Sequence, residues 1–302
     1  MSKRYYIEGL IAVFIFGITP LFIKEVSANA ITIGLVRLTI GGTFLFWIAT
    51  SKRLRQLNRS EWKALAWIGT LFGAHWITYF ISVKLSTPSM AILSVSSFGI
   101  HMIYLNWLIK GQKPQSIQLI TVLIALLGIL LIVPEFSVTN NLTAGILVGL
   151  SSAFFFALLP FQQQKHQKIN SMVRAFGQYA FALPIFLIFI SESNWNLTHQ
   201  DWWFLGILGV VCTVGAHTLW LRATTYLDPT NTSLIFYLGT PIAMVTSYFF
   251  LNEEMNSSKL IGAALIVSAN VAGVVFRKPT PQKSQPKFVS ESISKDSETS
   301  SE

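Results

Sequence analysis

Two histidines stand inside long apolar runs, His75 in LFGAHWITYF (71–80) and His217 in VGAHTLW (214–220), 142 positions apart and each preceded by Gly-Ala. An imidazole in such a setting has three roles open to it. It can donate one interhelical hydrogen bond as a neutral ring, touch a cargo in a polar cavity, or pass a proton. The paired occurrence does not choose among these, because duplication copies packing residues as readily as functional ones. Gly-Ala ahead of the histidine lets helix backbones approach closely in an apolar medium.

Other polar residues recur at helical spacing nearby. Tyr79 and Ser82 follow His75 at i+4 and i+7, and Thr213 and Trp220 flank His217 in the same manner. Ser94, Ser97, His101 and Tyr104 repeat at i, i+3, i+7 and i+10 and would share one face of a continuous helix. Together the three stripes predict a pocket with aromatic walls and few charges, suited to an amphipathic metabolite; the alternative is hydrogen bonding between helices. Arg37 is the basic residue set well within an apolar run, where it must snorkel, pair structurally or hold an anion such as a carboxylate. Pro20, Pro160 and Pro241 lie inside or near helix ends. Each removes a backbone donor and can kink its helix, as a hinge or as simple curvature.

The elements that must position these residues follow from composition. The 302-residue chain is 52% hydrophobic and 12% charged, with a mean hydropathy of +0.54, the profile of a multi-spanning membrane protein. Spanning takes about 20 mostly apolar residues. Ten such segments are expected, at 7–24, 31–50, 64–82, 88–109, 117–134, 143–161, 175–191, 203–221, 232–251 and 259–276. With the N-terminus inside, the inner loops hold Lys3, Arg4, Lys52, Arg53, Arg55, Arg59, Lys63, Lys110, Lys113, Lys165, Lys168, Arg174, Arg222, Arg277 and Lys278, fifteen cations, against Lys24, Lys84 and Lys259 outside. The asymmetry predicts both termini on the cytoplasmic side. It also accounts for the net charge of +9 without nucleic acid, for which no basic, aromatic-interleaved stretch is present. Trp202 and Trp203 are expected as interfacial anchors. The first 30 residues imitate a secretory signal, but Lys24 and Glu25 interrupt the approach to Ala28-Asn29-Ala30, so the segment reads as the first span. Residues 278–302, rich in Pro, Ser, Lys and Glu, read as a disordered cytoplasmic tail.

An internal repeat organises the spans. GLIAVFIFGITP (9–20) matches GLSSAFFFALLP (149–160) at an offset of 140. TPSMAIL (87–93) lies over DPTNTSL (228–234) at 141, as does QKPQSIQLIT (112–121) over EEMNSSKLIG (253–262). His75 and His217, at 142, are one residue out of step with these flanks. Five helices per half place the second half upside down relative to the first, an inverted repeat with a site near the midplane, as in alternating-access transporters. The all-α fold expected is therefore ten transmembrane helices in two inverted five-helix repeats.

The single Cys212 allows no disulfide framework and no cysteine metal site. Glu8 alone among the acids approaches a helix interior, so no buried carboxylate stands out as an ion carrier. Hydrolytic and nucleotide motifs are missing, and neither an enzyme, a cofactor nor a metal is expected.

The segments YLGTPIAMVTSYFFLNEEMNSSKLIGAALIV, GLVRLTIGG and GAHWITYF make the chain resemble the EamA-type branch of the drug/metabolite transporter superfamily, over roughly residues 5 to 277. The resemblance implies repeats at 5–134 and 143–277. It puts Pro241, Glu253 and Gly262 on characteristic positions, with a structural or gating role for Glu253, and Arg37 on the second-helix arginine. Gln112 and Thr121 depart from the pattern in the first repeat, where the family usually carries Glu and Gly, so no such role transfers to Gln112. It further implies a transporter of the bacterial inner membrane, with a small-molecule substrate and the lipid bilayer as partners and with proton coupling and a homodimer as candidates. Combined with the polar stripes, the expectation is a secondary transporter, an exporter of an amino acid or drug-like compound. The alternatives are an uncoupled facilitator of the same fold and a non-transporting membrane scaffold. Candidate substrate contacts are His75, Tyr79, Ser94, Ser97, His101, His217, Trp220 and Arg37; candidate structural or gating residues are Pro20, Pro160, Pro241 and Glu253.

Overall fold

Asparagine and threonine open most of the helices. Asn58 and Thr198 form capping boxes with Glu61 and Asp201, Thr87 caps a helix that begins at Pro88, and Asn140, Asn170 and Asn256 accept from backbone N–H groups of the turns they precede. These polar caps fall between apolar runs and start the helices there. The computed structural model describes residues 2–49, 54–132, 140–227 and 234–276. The expected tail at 278–302 lies outside them, as do Lys52, Arg53, Arg277 and Lys278 of the charge pattern and 228–233 of the repeat.

In chain order the helices are α1 (Ser2–Glu25), α2 (Ala30–Ala49), α3 (Arg59–Leu85), α4 (Pro88–Ser96), α5 (Phe98–Lys110), α6 (Ser116–Ile132), α7 (Asn141–Lys165), α8 (Ser171–Leu187), α9 (His199–Ile207), a π-helical segment (Leu208–Gly215), α10 (Ala216–Tyr226), α11 (Gly239–Leu251) and α12 (Ser257–Val275). No strand occurs among the described residues. Among the described residues seven stretches are long and apolar enough to cross a bilayer: Lys3–Glu25, Ala30–Trp47, Arg59–Leu85, Pro88–Ile109, Asn141–Lys165, His199–Thr224 and Leu234–Leu251. Ser116–Ile132 and Ser257–Gly273 are apolar but shorter. Large apolar side chains face outward, Trp47 at 77% exposure and Phe249 and Phe250 at 70% each. Such an outer surface suits hydrocarbon, and the described residues form an all-helical fold of membrane-protein type.

Two helices are interrupted. The turn at Ser97 separates α4 from α5, with Ser97 N–H bonded to Ser94 O at 3.1 Å, and the turn at Leu238 precedes α11, with Leu238 N–H bonded to Ile235 O at 3.1 Å. The two breaks are 141 residues apart. So are Gly111 and Asn252, the left-handed residues (φ 64° and 51°) that end α5 and α11. The break at Ser97 has a consequence for the stripe Ser94, Ser97, His101 and Tyr104, whose shared face assumed an unbroken helix: Tyr104 ends 49% exposed.

Small residues set the closest packing. A Cβ on Gly128 of α6 would lie 2.7 Å from the Gly262 carbonyl of α12, and one on Gly149 of α7 would lie 2.6 Å from Ser94 Cβ. The main core gathers Ile23, Leu38, Phe72, Phe80, Tyr179 and Phe186, between α1, α2, α3, α8 and the π segment. It is there that Arg37 enters.

Candidate substrate site

α2 carries Arg37 into this core, leaving it 2% exposed. The guanidinium carbon lies 4.3 Å from the Trp76 ring centroid and 5.1 Å from that of Phe80. Nε donates to Thr213 Oγ1 at 2.9 Å. Among the described residues that is its only hydrogen bond, and no carboxylate pairs with it. A guanidinium has five donors, and a buried charge without its counter-ion costs several kcal/mol. Each aromatic face returns on the order of 0.5–2 kcal/mol of that. The arrangement is one an anion would complete. Tyr179 packs edge-on to Trp76, ring centroids 5.7 Å apart, with its hydroxyl buried and unpartnered.

The two histidines flank this centre and are held differently. Ser152 of α7 donates its hydroxyl hydrogen to His75 O at 2.9 Å, so its oxygen is an acceptor for His75 Nδ1 at 2.8 Å; Ser152 O accepts from the same nitrogen at 3.1 Å. His217 Nδ1 lies 3.1 Å from Cys212 O, a carbonyl that can only accept. Both rings therefore carry hydrogen on Nδ1 and, when neutral, offer Nε2 as an acceptor. His75 is tied across to α7; His217 is tied only to its own helix.

Aromatic rings wall the space beside them. Phe16 and Trp76 contact His217 at 4.8 and 5.5 Å, Phe156 stacks on His75 at 4.7 Å, and Phe236 joins Trp220 and Phe156 at 5.7 and 5.3 Å. Phe16, Phe156, His217, Trp220 and Phe236 are half-buried, whereas the Arg37 surroundings are closed.

The ends of the bundle differ. Where α1 begins, Glu8 Oε1 bridges Arg4 at 2.9 Å and Arg222 of α10 at 3.0 Å, and Tyr5 stacks on Tyr226. At the opposite end Lys24 Nζ donates to Lys84 O and Ser86 O at 3.1 and 2.6 Å, Lys84 Nζ donates to Val26 O, and Asp201 accepts from Ser27 and Thr198. Glu253 lies there too. Its Oε1 accepts from Thr87 at 2.5 Å and Lys259 at 2.9 Å, tying the α11–α12 link to the start of α4.

Of the residues singled out in the sequence, Arg37, His75, Tyr79, His217 and Trp220 come together. Tyr79 stacks on His75 at 6.0 Å. Ser94 and Ser97 spend their hydroxyls on Met90 O and Ser94 O, and His101 faces Phe154 of α7. Pro20 and Pro160 lie inside α1 and α7; Pro241 is exposed in the first turn of α11, where its missing N–H leaves no interior bond unmade. Trp202 and Trp203 are exposed at the start of α9. Sequence reasoning passed over Trp76, Phe80, Tyr179 and Ser152. Trp76 follows His75 directly, and Tyr179 follows Gln178, the 141-offset counterpart of Arg37. Gln178 itself bonds Gln163 at 3.1 Å, a link between α7 and α8.

Comparison with known proteins follows the same line. The model of the EamA-like transporter family matches the chain twice, at residues 3–133 and 143–273. An uncharacterized transporter of Archaeoglobus fulgidus is 24% identical over 83% of this chain and 89% of its own length. The uncharacterized transporter YwfM of Bacillus subtilis is 23% identical over 92% and 96%, and the pseudopaline exporter CntI of Pseudomonas aeruginosa is 24% identical over 90% and 96%. One crystal structure superposes with a TM-score of 0.65 at 17% identity, covering 91% of this chain and 98% of that one, a likeness of fold.

Proposed function

The chain belongs to the EamA-like transporter family, and from that premise we propose that it is a secondary transporter which exports a small amphipathic metabolite bearing a carboxylate, an amino acid or a compound built like one. The observation that carries this reading is the buried guanidinium of Arg37, without a carboxylate partner among the described residues and walled by Trp76 and Phe80. A cargo carboxylate would bind Arg37. Its ammonium would meet the Nε2 acceptor of His217 and the aromatic faces, and its side chain the rings of Phe16, Trp220 and Phe236. Ten spans in two inverted repeats, 5–134 and 143–277, with both termini cytoplasmic in an inner membrane, would place this site near the midplane and let the repeats rock around it. The matched breaks at Ser97 and Leu238 support that symmetry. Relatives named as transporters, one of them an exporter, support the direction and the class.

A facilitator without ion coupling is the second reading, favoured by how the buried acids are engaged. Asp201 and Glu253 are spent on hydrogen bonds and a lysine, and Glu8 serves two arginines. Proteoliposomes loaded with a mixed metabolite pool, read by mass spectrometry with and without a pH gradient, test both. The expected result is carboxylate-bearing efflux that Arg37→Gln reduces by about 10- to 150-fold, the worth of one charged hydrogen-bonded contact. Efflux indifferent to the gradient selects the facilitator. An Arg37→Gln protein that transports as the wild type does removes the carboxylate reading.

A further inference from the structure

The π segment Leu208–Gly215 has no counterpart in α3, which is α-helical from Arg59 to Leu85. A helix takes a π turn where it holds one residue more than its regular register. The sequence carries that surplus: flanking segments of the two halves are offset by 140 and 141, Gly-Ala-His by 142. Counted from the capping boxes at Asn58 and Thr198, His75 lies 17 residues on and His217 19, so the second helix holds two residues more over the stretch that contains the π segment. Two side chains bond the segment's own carbonyls across five residues, Thr213 Oγ1 to Leu208 O at 2.7 Å and His217 Nδ1 to Cys212 O at 3.1 Å. With its hydrogen committed to Leu208, the Thr213 hydroxyl turns a lone pair to Arg37 and accepts from Nε at 2.9 Å.

Resting on the carboxylate reading above, we propose that Thr213 is a positioning residue, holding the cargo's place on Arg37, and that the π segment is what sets it there. A carboxylate is a stronger acceptor for a guanidinium than a neutral hydroxyl. Cargo binding therefore displaces Thr213 and frees the segment to regularise. Each residue passed through an α-helical register turns the chain by about 100°, so α10, with His217 and Trp220, rotates relative to α9. Recognition of the carboxylate becomes a movement of the half-buried wall beside it.

The chain's one cysteine, Cys212, sits wholly buried within the segment and reports on it without any cargo. The experiment measures the rate at which N-ethylmaleimide labels Cys212 in reconstituted wild-type, Thr213→Val, Thr213→Ser and Arg37→Gln proteins. Thr213→Val and Arg37→Gln are expected to label about tenfold faster, the worth of one lost hydrogen bond, and Thr213→Ser at the wild-type rate. In the efflux assay Thr213→Val should lower the half-saturating cargo concentration, its competitor on Arg37 being gone, while lowering the maximal rate. A purely structural loss would not tighten cargo binding. A wild-type labelling rate in Arg37→Gln or in folded Thr213→Val overturns the proposal, and should Thr213→Val fail to fold, Arg37→Gln alone decides. If Arg37→Gln abolishes efflux yet labels normally, the switch fails and the carboxylate site stands. If Arg37→Gln transports normally, the carboxylate site itself has failed.

Discussion

The helix of His75 and the helix of His217 carry the same Gly-Ala-His triplet to opposite bonding situations. α3 is regular, and its histidine is clasped by Ser152 of the neighbouring α7 through both hydroxyl and carbonyl. The second helix contains a π segment, and its histidine bonds a carbonyl five residues back along its own chain. The position equivalent to Ser152 in the first half is Ala12, at the 140 offset, which has no hydroxyl to offer. The two copies of the triplet therefore have different partners, and the Nδ1 of the second makes its bond within its own helix. His75 joins helices; His217, half-buried beside Phe16 and Trp220, is the one left facing the aromatic space.

This contrast can be broken first at the histidines. His217→Ala is expected to cut efflux about tenfold or more with little change in melting temperature, because in the proposed site it removes a cargo contact. His75→Ala should instead lower stability by about 1–3 kcal/mol, since a buried ring and its hydrogen bonds to the Ser152 hydroxyl and carbonyl are lost. Thermal unfolding and efflux measured on the same two preparations separate them; equal effects on both readouts would end the distinction. A second comparison sets Gly149 against Gly9, its 140-offset counterpart. A methyl on Gly149 would meet Ser94 Cβ at 2.6 Å, whereas one on Gly9 would meet Ala223 Cβ at 3.3 Å. Gly149→Ala should cost about 1–3 kcal/mol of stability by overpacking, and Gly9→Ala less than about 1 kcal/mol, as thermal melts would show. The smallest effect is expected from Ala12→Ser, which offers His217 the hydroxyl that His75 already has. Efflux should fall about threefold as His217 is drawn into packing, a change within the reach of one modest hydrogen bond. An unchanged efflux rate would mean that the loss of this hydroxyl did not free His217.

The sequence by itself determined that the chain is helical and membrane-spanning, and it marked several residues of the proposed site. Hydropathy and caps such as Asn58, Thr87 and Thr198 mark where helices run and stop, because a backbone in hydrocarbon must satisfy its own hydrogen bonds locally. Arg37 and the paired histidines announced themselves because polar groups amid apolar runs are costly to keep. What only the tertiary structure decided is which of these residues meet. Ser94, Ser97 and His101 were equally legible as a stripe, yet the break at Ser97 and local carbonyl acceptors took them elsewhere. Conversely, Trp76, Phe80 and Tyr179 read as ordinary aromatic core, and only packing of α2, α3 and α8 against one another lays them around a charge. The surplus was visible as a slip between the halves, two steps from the flank before it and one from the flank after it, but a slip has no geometry. Whether it became a loop, a bulge or a π segment depended on the hydrogen bonds that neighbouring helices left available to Thr213 and His217.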